Sequence, residues 1–171
     1  PYPTPSSVDL YPRTGPLTFG PVEVILNTAN TTMVLEPGDL DGDGDVDLVL
    51  GDPDINVLRT FLNNGSGQLT EAGSMEVEDV GDLLLHDLDA DGDPDLLCTT
   101  DHVTLHQNDG TGLWTAGTEL MPCTGSNFGV RDINGDGFPD VWSIRWITIS
   151  PVLYQLQWRL NDGAGGFSAA S

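Results

Sequence analysis

One acidic pattern recurs three times in this chain, and it constrains the fold more than any other feature. It reads Asp39-Leu-Asp-Gly-Asp-Gly-Asp-Val-Asp47, Asp87-Leu-Asp-Ala-Asp-Gly-Asp-Pro-Asp95 and Asp132-Ile-Asn-Gly-Asp-Gly-Phe-Pro-Asp140. The first residues stand 48 and 45 positions apart, and each pattern leads into an apolar run: Leu48-Val49-Leu50, Leu96-Leu97-Cys98 and Val141-Trp142. A second marker keeps step: Asn63-Asn-Gly-Ser-Gly67, Asn108-Asp-Gly-Thr-Gly112 and Asn161-Asp-Gly-Ala-Gly165, at spacings of 45 and 53. Two independent markers in the same order define three repeats.

Within a repeat the sequence predicts a strand, the acidic loop, two more strands, the Gly turn and a last strand. In the second repeat these are 82–87, 95–100, 102–107 and 113–121. Four short strands in about 45 residues is the size of one β-propeller blade. Helix is excluded because 21 Gly, 12 Pro and many β-branched residues interrupt every window of helical length. The expected fold class is therefore all-β, built of propeller blades. The chain divides into a Pro/Ser-rich segment 1–14, repeats at 15–67, 68–112 and 113–166, and the start of a further strand at 167–171. The third repeat is longer by 8 residues, and the excess is expected around Thr148–Leu153. Closed propellers have about four to eight blades. Three blades are thus expected to be a fragment of a larger propeller or to assemble with other chains, in preference to being capped by their own terminal segments. A start at Pro1, with no signal segment, reads as a processed or trimmed form.

Each loop fits Asp-x-Asp/Asn-x-Asp-Gly-x-x-Asp, which places oxygen side chains at alternate positions as the backbone wraps round one centre. A hard cation such as calcium takes about six to eight oxygens. Position 1 is Asp39, Asp87 or Asp132; position 3 is Asp41, Asp89 or Asn134; position 5 is Asp43, Asp91 or Asp136. Gly44, Gly92 and Gly137 permit the sharp reversal at position 6. Position 7 (Asp45, Asp93, Phe138) would offer a backbone carbonyl, since a Phe side chain cannot ligate, and position 9 (Asp47, Asp95, Asp140) would close the cage. One Asp/Gly cluster is ordinarily a solvated turn. Three in register, each crowding carboxylates that repel one another, point to three calcium sites. Magnesium, with its rigid octahedral preference, fits less well. An EF-hand is excluded because position 12 is Leu50, Cys98 or Ser143 in place of Glu, and the Gly-Gly-rich RTX pattern is absent.

The loops and the Asn-x-Gly-x-Gly turns resemble FG-GAP/VCBS repeats, found in the integrin α-subunit propeller and in many bacterial extracellular proteins. The resemblance runs from about Gly15 to Phe167, with Phe19-Gly20 and Phe128-Gly129 as echoes of the Phe-Gly signature. It implies a loop between the first two strands of each blade and one calcium per loop. It also implies an extracellular or cell-surface setting.

Composition narrows the partners. The formal charge is −22, from 27 acids against 5 Arg and no Lys, and 21 of the acids are Asp. Nucleic acid is excluded for want of cations to displace phosphate counterions, and an anionic membrane would repel the chain. No apolar stretch approaches the roughly 18 residues of a membrane span. The His residues 86, 102 and 106 form no recognisable catalytic set, the acids are committed to the loops, and Gly-x-Ser-x-Gly is absent, so no enzymatic activity is expected. Trp142, Trp146, Tyr154 and Trp158 are read as inter-sheet core in preference to a sugar-stacking or interface surface. Cys98 and Cys123 could form one disulfide or remain two buried thiols, and Asn30-Thr-Thr and Asn64-Gly-Ser fit the N-glycosylation pattern. The expected function is a calcium-stabilised module that recognises a protein or glycan. The alternatives are a structural subunit assembling through open propeller ends and a non-catalytic domain appended to a secreted enzyme.

Overall fold

Fifteen strands and no helix make up the described residues of the computed structural model, which are 6–11, 13–28, 33–78, 80–125, 127–149 and 151–169. Strands β1 (Ser6–Leu10), β2 (Arg13–Gly15), β3 (Thr18–Phe19) and β4 (Glu23–Thr28) form two small sheets, β1–β4 and β2–β3. The first large sheet is β5 (Val34–Gly38), β6 (Asp47–Asp52), β7 (Val57–Asn63) and β8 (Leu69–Glu76), antiparallel and in chain order. The second repeats this plan with β9 (Leu83–His86), β10 (Asp95–Thr99), β11 (His102–His106) and β12 (Thr118–Pro122). The third has β13 (Phe128–Arg131), β14 (Asp140–Ile149) and β15 (Val152–Arg159).

The acidic loops join the first two strands of each large sheet and the Gly turns follow the third, as the sequence order requires. Each strand after a Gly turn pairs with the strand before it, so the first two sheets span 34–76 and 83–122. Residues 15–28, placed in the first repeat by sequence, pair instead among themselves and with β1. The extra length of the third repeat lies in the β14–β15 hairpin, whose strands have 10 and 8 residues. Residue 150 within it lies outside the described residues, as do Asn30 and residues 170–171. Phe167 bridges Asn161 as Trp114 bridges Asn108, so the chain there begins to run beside β15.

Two apolar cores lie between successive sheets. Leu40, Val49 and Leu58 meet Leu83, Leu96 and Cys98 between the first and second. Leu88, Leu97, Val103 and Leu105 meet Val141, with Phe128 and Val130 packed against them, between the second and third. All five residues of β10 are buried, because Leu96 and Cys98 face one core while Leu97 faces the other. A strand covered on both faces carries a continuous apolar run, which is why Leu96-Leu97-Cys98 does not alternate. Cys98 and Cys123 are not bonded to each other and belong to different cores.

The third sheet corrects one expectation. Its inner face is polar at the far end, where Ser143 Oγ and Gln157 Nε2 both donate to Pro122 O, at 2.9 and 2.5 Å. The aromatic residues occupy the opposite face as cross-strand pairs, Trp142 with Trp158 and Trp146 with Tyr154, flanking Ile144 with Leu156. Trp146 and Tyr154 are 55% and 56% exposed, so they are not inter-sheet core. Period-2 alternation puts them on the side away from the second sheet.

Sheets are also latched by the turn asparagines. Asn108 Oδ1 accepts the N–H groups of Gly110 and Gly112, while its Nδ2 donates to Pro94 O in its own repeat and to Leu40 O in the repeat before, at 3.3 and 2.8 Å. Asn161 does the same with Pro139 O and Leu88 O, at 3.1 and 2.6 Å. Only an amide can accept and donate in this way. The prediction is that Asn108→Asp, which keeps the acceptor and loses the donor, destabilises by about 1–3 kcal/mol. Asn63→Asp adds the same charge but loses only its bond to Val46 O. Thermal melts should show a clearly larger fall for Asn108→Asp; equal falls would refute the latch.

Candidate metal centre

Within each loop the chain coils because every second side chain caps the backbone ahead of it. Asp41 Oδ1 accepts from Asp43 N–H at 3.3 Å and Asp43 Oδ1 from Asp45 N–H at 2.9 Å, and Asp89 and Asp91 repeat the arrangement. Such Asx turns are what short acids favour over sheet pairing. Asp39 reaches across the coil to the N–H groups of Gly42 and Gly44, at 2.9 and 3.0 Å. Gly44, Gly92 and Gly137 hold φ of 91°, 104° and 93°, the left-handed region that glycine enters without strain.

This coiling brings positions 1, 3 and 5 together. Carboxylate oxygens of Asp39, Asp41 and Asp43 lie within 4.8 Å of one another, and so do those of Asp87, Asp89 and Asp91. Asp87 Oδ1 is buried and has no hydrogen-bond partner, an orphaned oxygen beside its triplet. These donors are all hard oxygens, so the residues present suit calcium. The third loop differs. Asn134 turns its amide onto Asp136 Oδ2 at 2.7 Å, and Asp132, Asn134 and Asp136 are all exposed.

Positions 7 and 9 make contacts of their own beside these triplets. The side chains of Asp45, Asp93 and Phe138 lie against the turn glycines Gly65, Gly110 and Gly163, where any Cβ would collide with them. Position 7 thus packs loop onto turn, which explains why Phe replaces Asp there. Asp47, Asp95 and Asp140 are wholly buried. One oxygen of each accepts the N–H of the second loop residue (Leu40, Leu88, Ile133), at 2.7, 3.0 and 2.8 Å. The other accepts the N–H of the turn asparagine (Asn63, Asn108, Asn161), at 2.7, 3.0 and 2.9 Å. This carboxylate is the joint between loop and turn, a role that sequence spacing alone did not disclose. The donor role of the turn asparagines was also missed. Its signal was present: the first turn residue is Asn in all three repeats while the second is Asn, Asp and Asp.

Loop chemistry shows in the acid equilibria. Burial pushes Asp95 up to about 6, against the lowering effect of the N–H bonds from Asn108 and Leu88, with Asp89 and Asp91 adding repulsion. Withdrawal from water raises Asp41 and Asp89, and neighbouring carboxylates add to it. Asp136 is lowered by the Phe138 N–H and by the Asn134 amide. The first two loops therefore hold charge at a cost that a cation would offset, whereas the third has offset part of it internally.

Residues 87–143, from the first Asp of the second loop to the strand after the third loop, match the family model of the FG-GAP-like repeat. That segment is similar to an FG-GAP-like repeat. The matched FG-GAP-like segment spans one full period of the chain, including the triplet Asp87, Asp89 and Asp91 and the latch at Asn108. A search of curated proteins finds no match. No helix among the described residues is long and apolar enough to cross a membrane.

Outside the loops, a groove of about 430 Å³ runs along β11 and is lined by His102, Thr104, His106, Glu76, Glu78 and Glu119 among others. His106 is buried and its Nδ1 faces Thr115 O at 3.1 Å, with burial lowering its pKa, while His102 Nδ1 sits 2.8 Å from Asp101 at the surface.

The raised pKa of Asp95 predicts an inverted acid response in calcium-free protein. A carboxylate whose folded pKa lies near 6 stabilises the fold when protonated; that contribution is complete below the ordinary value of 3.8 and is lost as pH rises through about 6. The melting temperature of chelator-treated protein should rise from about pH 7.5 to about pH 5, by about 2–4 °C per kcal/mol recovered. A fall over that interval would contradict the assignment.

Proposed function

We propose that the chain is a calcium-stabilised β-propeller segment serving as an extracellular recognition or adhesion module, without catalytic activity. The observation that carries this reading is the pair of carboxylate triplets, Asp39/Asp41/Asp43 and Asp87/Asp89/Asp91, drawn within 4.8 Å by their own backbone. Like charges so placed repel unless a cation sits among them. The FG-GAP-like match supports the propeller and recognition part of the reading. The third loop is a weaker site, its Asn134 supplying a neutral oxygen where the others have a carboxylate.

Calcium, when bound, supplies charge neutralisation and cross-links the coil. The protein's own residues do the rest: Asp39 and Asp87 draw the loop closed through Gly N–H groups, and the buried position-9 carboxylates transmit loop order to the turns. The absence of a catalytic role is inferred from the acids being engaged in the loops and from His102 and His106 facing an acid and a carbonyl. Loops at one end of the sheets would then be free to contact a protein or glycan ligand.

Metal-coupled stability is the test. Each site gives about 2.7 kcal/mol when calcium is at a hundredfold excess over its Kd. Millimolar calcium should raise the melting temperature strongly, and Asp43→Ala and Asp91→Ala should each remove part of that rise. A melt indifferent to calcium and to chelator would overturn the proposal.

A further inference from the structure

Among the described residues, one side chain from outside the acidic loops reaches a carboxylate triplet. Gln107 Nε2 donates to Asp89 Oδ2 at 3.0 Å, across 18 residues of chain. Asp89 is the middle acid of the second triplet, and its Oδ1 already accepts the Asp91 N–H at 3.3 Å. Both oxygens of that carboxylate are thus held, one by the loop and one from beyond it. In the first loop, Asp39, Asp41 and Asp43 accept only from loop N–H groups among the described residues.

Sequence and fold explain why this happens once. Gln107 stands immediately before the turn asparagine Asn108, and the residues at the same place in the other repeats are Leu62 and Leu160. Side chains alternate along a strand, so Gln107 continues the face of Val103 and Leu105, which packs against the third repeat. Its backbone is pinned, because its N–H donates to Thr115 Oγ1 and its carbonyl accepts the Thr115 N–H, both at 2.9 Å. The third turn then lies over the pair: a Cβ at Gly165 would sit 2.8 Å from Gln107 Nε2 and 3.1 Å from Asp89 Cβ. The matching contact at the first loop differs in kind, since a Cβ at Gly112 would meet Leu62, Thr60 and Leu40 first.

An amide donor offsets part of the charge that neighbouring carboxylates repel, and it fixes which way the acid turns. Metal-binding carboxylates are steadied by such partners, and removing one typically costs about 10–100-fold in metal affinity. We infer that Gln107 is a positioning residue for the second metal site, its amide holding Asp89 in the triplet and making this loop a tighter calcium site than the first. The inference rests on the calcium reading of the loops and adds to it a residue outside them.

Calcium titration calorimetry on the chelator-treated full chain tests it in two backgrounds. Asp43→Ala disables the first loop and Asp91→Ala the second, and the tight site left in Asp43→Ala protein should bind more strongly than the one left in Asp91→Ala protein. Gln107→Leu installs the residue that the other two repeats carry, so the fold should accept it. In the Asp43→Ala background it should weaken the remaining tight site about tenfold. In the Asp91→Ala background it should leave the first site as it was. Gln107→Glu keeps the length and loses the donor, and it should weaken the second site at least as much. A tighter site with Glu would mean that this side chain supplies oxygen to the ion, and the donor role would be overturned. Equal losses in both backgrounds, the mark of a general packing role, would also overturn the inference. So would a reversed order of the two sites, or no loss in either background while calcium still binds. No binding by the wild type would overturn the calcium reading itself, and this inference with it.

Discussion

The buried carboxylate at the end of each acidic loop is the constraint on which the rest depends. Asp47, Asp95 and Asp140 are fully withdrawn from water, and each accepts one N–H from its loop and one from its turn. A charge so placed is tolerated only when hydrogen bonds replace its hydration. Those bonds fix loop and turn relative to each other, and Asn108 and Asn161 then carry the position to the neighbouring sheet. Loop, turn and inter-sheet packing are thus one connected unit. The left-handed glycines and the Asx turns serve to bring the required N–H groups to that carboxylate.

The same geometry concentrates negative charge. The acids at positions 1, 3 and 5 face one another and the loop N–H groups, with Gln107 Nε2 donating to Asp89 Oδ2 at 3.0 Å in the second loop. Of the 21 Asp, 13 lie in the three loops, and three divalent ions would take the formal charge from −22 to −16. Much of the acidity is therefore local to the loops. Electrostatic cost and structural order are linked, because the loops that repel most are also those that hold the sheets in register.

Period and order were legible in the sequence because they depend on residue type at fixed spacing. The Asp and Gly of the loops, the Asn-x-Gly-x-Gly turns and the apolar runs 48–50 and 96–98 marked out strands correctly, as did the longer third hairpin. What spacing could not show is which atoms face which. Asp43 and Asp47 are the same letter four places apart, yet one is exposed in the triplet and the other is a buried joint. Asp45 and Phe138 share a position because both pack on a turn glycine, a contact between segments about twenty residues apart. Trp146 and Tyr154 look like core by composition and face outward because no following sheet covers them among the described residues.

The three loops are not chemically equal, and this difference gives the sharpest test. Two have three clustered carboxylates, and the third replaces one with the Asn134 amide, already bonded to Asp136. Calcium titration calorimetry on the chelator-treated full chain should resolve two tighter sites and one weaker. Asp91→Ala should remove one of the tighter pair and leave the weaker site unchanged. No heat of binding at millimolar calcium, or three sites of equal affinity untouched by that substitution, would contradict the account.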